Sequence, residues 1–373
     1  MRRDPIRLLL GALAVVVAGV IVAAAPSPTD ARQSHVSESA CKRYASPNGN
    51  DGWKGTRKRP YRTVQRLVNA LARGGRACLL RGFYRGNVVI RAGGTQNRPL
   101  VLTTVRGRGR AHVNGIVQVN DSASWVVLER LFLDSRNPPL VDGVGIKIFG
   151  DHVVLRDSEV TSGGERICVQ TGDANGRYGI AWYPLIERNR IHGCGNRGPR
   201  GSKSYPSGHA VYMQADRFAR VRDNYIYDTN YGGTLGGRGI QLWPDSQDAT
   251  IEHNVIDNSN AWNVIVSGSR YPTGTTHGAK IRRNVMTNPV EYNLTTTWLG
   301  VEPQPGVAVT ENCVTPGFRG YFALVTWEGK PSYVEQDNVR ADPLYVDREA
   351  KDFRLRSGSP CSGMGPRPGR APG

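Results

Sequence analysis

Short runs in which apolar and polar positions alternate recur along most of the chain. They share the order apolar, any, apolar, two polar residues, asparagine, any, apolar. The runs are VVLERLFL (126–133), VVLRDSEV (153–160), PLIERNRI (184–191), ARVRDNYI (219–226), ATIEHNVI (249–256), AKIRRNVM (279–286), VAVTENCV (307–314) and SYVEQDNV (332–339). Alternation of this kind predicts short strands with one buried face. The runs repeat about every 26 to 35 residues, a period typical of repeat folds.

One column of the repeat is occupied mainly by asparagine. Its members are Asn189, Asn224, Asn254, Asn284 and Asn312, with Asn338 slightly displaced and Ser158 and Leu131 in the same column earlier. Asparagine tolerates the left-handed backbone region, so we expect it at a bend. Its amide can also donate and accept hydrogen bonds between stacked coils. Because a coil of about 27 residues cannot bury its own apolar face, the coils must stack. The pattern therefore predicts an all-β solenoid of parallel strands.

Helical periodicity is confined to one segment, about 61–75. Val64, Leu67, Val68 and Leu71 lie at helical spacing there, after a potential N-cap at Thr63. Such a helix is expected to cap the open end of the stack, because solenoids need their terminal coils protected from edge pairing.

Composition and charge narrow the class of protein. The chain has 373 residues, 39% of them hydrophobic, with 49 Lys+Arg, 31 Asp+Glu and a net charge of +18. It is too apolar for a disordered chain and too polar for a protein with several membrane spans. The positive charge favours an anionic partner: nucleic acid, an anionic membrane or an acidic polysaccharide.

The N-terminus points to export. Arg2, Arg3 and Arg7 precede an apolar run from Leu8 to Ala25, and small residues follow up to Ala31. This layout predicts a signal peptide over residues 1–31. The alternative is an uncleaved single-span anchor, which would be the protein's one contact with a membrane. Either way the rest of the chain is exported, so a nucleic-acid partner is not expected.

The cysteine content agrees with an oxidising compartment. Six cysteines predict disulfides, and the absence of a CxxC pair gives no support to a zinc site of that kind. They are Cys41, Cys78, Cys168, Cys194, Cys313 and Cys361. Pairing of neighbours gives 41–78, 168–194 and 313–361, which is one of 15 connectivities.

Two segments resemble a known family. YASPNGNDGWKGTRKRPYRTVQRLVNALARGGRACLLRGFYRGNVVI (44–90) is similar to the entry module of secreted right-handed parallel β-helix proteins, and ADPLYVDREAKDFRLRSGSPCSGMG (341–365) to their last coil. The resemblance implies one single-stranded right-handed parallel β-helix over about 41–365, followed by a disordered tail, 366–373. The family includes polysaccharide lyases related to pectate lyases and chondroitinase B, as well as uronate epimerases, and a monomer is expected.

One strand of each coil is expected to present a binding face. In GIKIF (145–149), RICVQ (166–170), AVYMQ (210–214), GIQLW (239–243) and NVIVS (263–267), alternation places the apolar residues inside. The predicted outward, substrate-binding residues are Lys147, Arg166, Gln170, Gln214, Gln241 and Trp243. Cations, amides and aromatic rings suit an acidic glycan, whereas the alternative is an ordinary polar surface.

Three residues are predicted to carry chemistry. His209 and Arg238 precede AVYMQ and GIQLW at equivalent positions of adjacent coils, and Tyr212 is close by. Strands stacked about 4.8 Å apart would let these side chains meet. The group could neutralise a uronate carboxylate and move the proton at C5, with His209 or Tyr212 as the base. This is the chemistry of a polysaccharide lyase or a uronate epimerase, and the alternative is that these side chains bond turn carbonyls.

A column of carboxylates is predicted beside the same strands. Asp173, Asp216 and Asp245 each follow one strand, and three stacked carboxylates could hold Ca²⁺. The alternative is that they are ordinary turn residues. The sequence thus leaves two functions open: an exported enzyme acting on an acidic polysaccharide, and a non-catalytic cell-surface or glycan-binding solenoid.

Overall fold

A computed structural model describes residues 41–105, 110–136, 143–195, 208–229, 237–268, 274–296, 306–317, 324–325 and 333–370. Within these ranges the regular secondary structure is almost entirely β-strand. The predicted signal or anchor segment, residues 1–31, lies outside the described residues. No helix in the described ranges is long and apolar enough to cross a membrane.

The strands form three long parallel sheets, which the chain visits in turn. Sheet 1 contains β1 (Arg43–Ala45), β2 (Gly75–Leu79), β5 (Leu100–Thr104), β8 (Val126–Glu129), β11 (Val154–Arg156), β15 (Leu185–Glu187), β18 (Arg220–Arg222), β21 (Thr250–Glu252), β24 (Lys280–Arg282), β27 (Ala308–Thr310) and β30 (Val334–Gln336). Sheet 2 contains β3 (Phe83–Arg85), β6 (Ala111–Asn114), β9 (Leu131–Asp134), β12 (Glu159–Thr161), β16 (Arg190–His192), β19 (Tyr225–Tyr227), β22 (Val255–Asp257), β25 (Val285–Thr287), β28 (Cys313–Val314) and β31 (Val339–Arg340).

Sheet 3 completes each coil and contains the longest strands. Its members are β4 (Val88–Ile90), β7 (Val117–Val119), β10 (Val144–Ile148), β13 (Ile167–Thr171), β17 (Gly208–Arg217), β20 (Gly237–Gln247), β23 (Trp262–Val266), β26 (Tyr292–Thr295) and β29 (Leu324–Val325), and β14 (Ala181–Trp182) pairs with the end of β17. A hairpin of β32 (Tyr345–Asp347) and β33 (Asp352–Leu355) follows the solenoid. The predicted solenoid of parallel strands is confirmed.

The core is the interior of this solenoid, built from columns of apolar side chains. One column in sheet 3 aligns Ile146, Val169, Val211, Ile240, Val264 and Leu294. All six are buried. Burial of such a column removes a continuous apolar surface from water, which no coil could do alone.

The predicted asparagine column forms a ladder between sheets 1 and 2. Each amide nitrogen donates to the amide oxygen of the next rung at 2.9–3.1 Å, from Asn189 through Asn224, Asn254, Asn284 and Asn312 to Asn338. The same amide oxygen also accepts from the backbone N–H of the preceding rung. The ladder therefore satisfies buried polar groups at a corner where the sheets change direction.

The left-handed residue at this corner is the one before the asparagine, whereas the sequence predicted the asparagine itself. Arg188, Asp223, His253, Arg283, Glu311 and Asp337 all have φ of 54–55°. Such a conformation costs of order 1 kcal/mol for a residue with a Cβ. Placing it one residue earlier leaves the asparagine side chain pointing inward, where it bonds the neighbouring coils.

The predicted N-terminal helix is present but short. Helix α1 spans Val64–Asn69, buries Val64, Leu67 and Val68, and is N-capped by Thr63, whose hydroxyl accepts from Arg66 N–H at 3.1 Å. It packs against β1, β2 and β4. Its role as a cap of the stack stays a prediction.

The C-terminal arm, residues 343–367, packs on the outer face of sheet 2. Tyr345 and Phe353 of the arm join a buried cluster with Tyr225, Tyr227, Val255 and Val285. Lys351 pairs with Asp228 at 2.9 Å, and Arg348 pairs with Asp257 at 3.0 Å. Since Asp257 is fully buried, the arm both covers apolar surface and neutralises a desolvated carboxylate.

Part of the tail is bound, in contrast to the disordered segment predicted for 366–373. Arg367 forms an ion pair with the buried Asp223, and its backbone N–H donates to the same carboxylate at 3.1 Å. Its interaction with Asp223 raises the pKa of the Arg367 guanidinium. The sequence did not predict that Arg367 binds the solenoid, because a basic, proline-rich end is usually solvated.

Candidate functional site

The outer face of sheet 3 has the expected alternation, but β13 is shifted by two residues from the expected register, because Lys147 pairs with Gln170 and not with Cys168. One outward row aligns Gln118, Lys147, Gln170, Tyr212, Gln241, Ile265 and Thr295 across successive strands. Consecutive members of such a row lie about 4.8 Å apart. With the exception of the buried Ile265, the row therefore places one polar or aromatic side chain per coil along the solenoid axis.

The three predicted catalytic residues meet near the start of the two long strands, β17 and β20. His209 in β17 is in register with Arg238 in β20. The ring centroids of His209 and Tyr212 lie 5.0 Å apart. The three side chains are only 3%, 5% and 8% exposed for His209, Arg238 and Tyr212, respectively. The structure thus brings the predicted trio together, in a largely desolvated position.

Burial sets the charge state of the pair. Desolvation lowers the pKa of His209 well below its ordinary value, and the neighbouring Arg238 lowers it further. The histidine is therefore neutral at physiological pH. Its Nδ1 atom is buried and has no hydrogen-bond partner among the described residues. An unprotonated imidazole with an open ring nitrogen can accept a proton.

Arg238 is held by residues that the sequence did not single out. Desolvation lowers its pKa to about 10, against the charges of Tyr212 and Glu291, which raise it. Its guanidinium lies 4.9 Å from the ring centroid of Trp262, a cation–π contact. Trp262 and Glu291 belong to the next two coils. Extending the pairing of β20, β23 and β26 towards their first residues brings Trp262 and Glu291 close to Arg238, so the register could have identified them.

The predicted binding row is less exposed than expected. Lys147, Gln214 and Trp243 are half-buried, while Gln170 and Gln241 are 8% and 4% exposed. Trp243 stacks on Tyr212 with an interplanar angle of 7° and centroids 6.4 Å apart. Gln170 donates to Gly172 O at 2.9 Å and to Gln214 Oε1 at 3.2 Å. Lys147, Gln214 and Trp243 are thus the predicted substrate-binding residues that are most accessible to a ligand.

The prediction that Arg166 is an outward, substrate-binding residue is wrong. Its side chain is fully buried rather than presented to solvent, and its Nε donates to Ser135 O at 2.9 Å. Arg166 precedes β13 at the corner between sheets 2 and 3, where the alternation of the strand has not yet begun. It therefore ties two coils together and is not a surface ligand.

The three aspartates do not form the predicted column. The register shifts between Met213 and Ala215, so Asp216 pairs with Ser246 and Asp245 pairs with Ala215. Arg217 donates to Asp245 at 3.0 Å, and Asp173 accepts from backbone N–H groups of its own loop. Within the described ranges, no group of three His, Cys, Asp or Glu side chains could hold a metal ion. The β-bulge therefore separates the carboxylates, and protein donors bond Asp245 and Asp173.

The burial of Asp216 is expected to make the stability of the protein depend on pH. Desolvation raises its pKa to about 6 despite hydrogen bonds from Thr171 and Ser246 and the nearby Arg217. The folded state therefore binds this proton more tightly than the unfolded state, and stability falls as pH rises from about 4 to about 6. We expect Asp216→Asn to remove this fall and to increase the free energy of unfolding at pH 8 by up to about 3 kcal/mol. Thermal unfolding at pH 4, 6 and 8 measures the effect.

The matched control is Asp121→Asn, which changes an exposed aspartate. It should unfold like the parent protein at every pH. If Asp216→Asn lowers the melting temperature equally at pH 4 and pH 8, the carboxylate is not the source of the pH dependence.

The three disulfides are the predicted neighbour pairs. They join Cys41 to Cys78, Cys168 to Cys194, and Cys313 to Cys361. Cys168 and Cys194 are buried in the solenoid core, and the third pair ties the C-terminal arm to β28. The loops that lead into β17 and β20, residues 196–207 and 230–236, lie outside the described residues.

Comparison with known proteins agrees with this architecture. A family model described as "Right handed beta helix region" matches residues 114–314. The uncharacterized protein YwoF of Bacillus subtilis (strain 168) is 23% identical over 147 residues, which cover 36% of this chain and 31% of that protein. The chain thus spans about a third of the length of that relative.

Solved structures of polysaccharide-acting enzymes share the fold. An alginate lyase from Paenibacillus sp. str. FPU-7 aligns with a TM-score of 0.56 at 16% identity, covering 74% of this chain and 93% of the enzyme. The pectate lyase Pel9A gives 0.52 at 13%, covering 86% and 91%, and a glycoside hydrolase gives 0.58 at 10%, covering 85% and 99%. At these identities the similarity shows the fold alone.

Proposed function

The chain belongs to the right-handed β-helix family, and from this premise we propose that it is an exported protein that binds an acidic, uronate-containing polysaccharide along sheet 3 and cleaves it by β-elimination. The observation that carries the proposal is the register of His209 with Arg238, with the Tyr212 ring 5.0 Å from the His209 ring. These residues supply a base, a cation and a hydroxyl at one point of the face.

Each member of the trio has a distinct chemical role in the proposed reaction. Arg238 neutralises the uronate carboxylate, which makes the C5 proton more acidic. His209 takes that proton, the C4=C5 double bond forms, and the C4–O bond breaks. The Tyr212 hydroxyl gives a proton to the departing oxygen and is reprotonated from solvent, and His209 releases the C5 proton to solvent. Positioned acid–base groups of this kind contribute about 10²–10⁴-fold to a rate.

The charge states favour His209 over Tyr212 as the base. A tyrosine hydroxyl ordinarily titrates near pH 10 and is protonated at neutral pH. The lowered pKa of His209 keeps its imidazole neutral under the same conditions. The base is thus available without any activation, which leaves the Tyr212 hydroxyl for the role of acid.

The substrate chain is proposed to run along the outer face of sheet 3. Lys147 provides a cation, Gln214 an amide and Trp243 an aromatic ring, and all three are partly exposed. The net charge of +18 attracts a polyanion over long range. The three disulfides support an extracellular location, and the alginate and pectate lyases among the solved structures support a polysaccharide substrate.

Glycan binding without turnover is the second candidate function. The low exposure of His209, Arg238 and Tyr212 favours it, because a catalytic group must touch its substrate. In that case the trio stabilises the corner of the solenoid, and the partly exposed row alone contacts the glycan.

A panel of polysaccharides separates these functions. We expect the protein without residues 1–31 to release unsaturated uronides from at least one of polygalacturonate, alginate and chondroitin sulfate, detected by the ultraviolet absorbance of the new C4=C5 bond. Neutral polysaccharides such as starch and cellulose are the control. Binding without an absorbance change would favour the second candidate. Inversion at C5 without chain cleavage, followed by NMR, would replace lyase with epimerase activity.

A further inference from the structure

A concave surface lies on a different face of the solenoid, at the N-terminal end of sheet 2. This surface, the sheet 2 groove, has a volume of about 830 Å³ and is lined in part by Phe83, Arg85, His112, Asp134, Arg136 and Glu165. Small-molecule sites in proteins usually measure about 300–1,000 Å³. None of these residues belongs to the sheet 3 site.

The groove is the part of sheet 2 that the C-terminal arm leaves open. One outward row of this sheet aligns Phe83, His112, Phe132, Glu159, Arg190 and Tyr225. The arm covers Tyr225 and reaches back to Arg190, which donates to Lys351 O at 3.4 Å. The remaining N-terminal part of the row is exposed or half-buried in the described structure.

A preorganised polar network forms the wall of the groove. Asp134 is 2% exposed and accepts from Arg136 Nε at 2.9 Å and from Arg136 Nη2 at 2.6 Å. His112 Nε2 lies 3.1 Å from the same carboxylate. Burial opposes ionisation of Asp134, but these hydrogen bonds outweigh it and lower its pKa. The network holds a charged carboxylate and two nitrogen-bearing side chains in fixed positions.

Two charged side chains in the groove have no ionic partner among the described residues. Arg85 is exposed, and its guanidinium lies 5.3 Å from the Phe83 ring centroid with no carboxylate in ion-pair distance. Glu165 is half-buried and forms no ion pair either. Both side chains line the groove, so a guanidinium and a carboxylate remain available there to bind a ligand.

We propose that the sheet 2 groove is a second saccharide site, which takes an acidic sugar. Arg85 binds the sugar carboxylate through its planar fork of donors. Glu165 and the Arg136–Asp134–His112 network bind hydroxyl groups, and the edge of Phe83 contacts the C–H groups of the ring. The ligand class follows from the residues of the groove itself and requires no catalysis at sheet 3.

Calorimetric titration with two trisaccharides tests this site. Trigalacturonate is the acidic probe and galactotriose the neutral control. In a Trp243→Ala background, which removes the aromatic ring of the sheet 3 row, we expect trigalacturonate still to bind and galactotriose to bind more weakly. Adding Arg85→Gln should weaken trigalacturonate binding about tenfold or more, because a charge-assisted contact is lost.

Arg73→Gln is the matched control, since Arg73 is an exposed arginine outside both sites. Equal loss in the Arg73→Gln and Arg85→Gln variants would overturn the proposal and indicate general attraction to the basic surface. Unchanged affinity in Arg85→Gln would overturn it as well. Since product release is measured separately, failure of the groove leaves the lyase proposal standing, and failure of the lyase assay leaves the groove testable by binding.

Discussion

The His209→Gln variant is expected to release unsaturated uronides about 10²–10⁴-fold more slowly than the parent protein, because a general base contributes that much to a proton abstraction. Glutamine keeps a polar side chain of similar size at a position that is 3% exposed. The fold should therefore persist, and the loss should fall on kcat. Initial rates on the substrate found in the panel measure the effect, and circular dichroism confirms the fold.

His277→Gln is the matched control, because the half-buried His277 bridges Gln247 at the last residue of β20, away from the trio at the start of the strand. It should retain the parent rate. A parent-like rate in His209→Gln would contradict the assignment of the base. Loss confined to Tyr212→Phe would move the role of base to the tyrosine.

The pH profile of the same reaction provides a further readout. Because burial and Arg238 lower the pKa of His209, the base stays unprotonated well below pH 6.5. The acid limb should therefore lie below that of an ordinary histidine. Activity should persist towards pH 10, where the lowered pKa of Arg238 ends the neutralisation of the carboxylate. An acid limb near pH 6.5 would show that a solvated histidine is responsible.

Asn254→Ala is expected to destabilise the fold by about 3–5 kcal/mol, the largest stability effect that the structure predicts. The fully buried Asn254 amide donates to Val221 O, Glu252 O and Asn284 Oδ1, and accepts from the backbone and side chain of Asn224. Alanine leaves several of these groups buried without a partner, at about 1–3 kcal/mol each. Denaturant unfolding monitored by tryptophan fluorescence measures the loss.

Asn97→Ala is the control for this variant, since Asn97 is exposed and outside the ladder. Surface substitutions of this kind usually change stability by less than about 0.5 kcal/mol. A loss below about 1 kcal/mol in Asn254→Ala would mean that water or a shift of the coil replaces the ladder bonds.

The solenoid could be predicted because its information is local and repeated. Alternation with period two fixes which side of each strand is buried, and the asparagine spacing fixes where the coils stack. The backbone conformation at the corner between sheets 1 and 2 could not be predicted from the sequence in this way. The left-handed position is occupied by residues as different as Arg188, Asp223 and Glu311, so residue type gives no signal. At this corner, the hydrogen bonds made by the asparagine that follows determine the left-handed backbone conformation.

The candidate site was predictable only as far as register is regular. His209 and Arg238 occupy equivalent positions because β17 and β20 are paired without interruption up to Met213. Beyond that residue a bulge shifts the pairing, and the expected aspartate column is lost. The sequence also does not indicate how deeply each side chain is buried. Alternation places Arg166 in solvent, but the corner before β13 encloses its side chain.

The sheet 2 groove was not predicted because its residues are dispersed. Arg85, His112, Asp134 and Glu165 lie in four successive coils, and none is marked by a motif. Only the stacking of sheet 2 brings them together. Whether that face is open depends in turn on how far the C-terminal arm extends, which no local pattern indicates.

The C-terminal arm also imposes an order of events during biosynthesis. The apolar outer face that it covers, including Tyr225, Val255 and Val285, is complete once β25 has been synthesised, whereas Phe353 follows roughly 70 residues later. Until Phe353 docks, that face is bare. The folding chain is therefore most prone to aggregation in this interval, and protein truncated before residue 343 should aggregate even though every coil of the solenoid is intact.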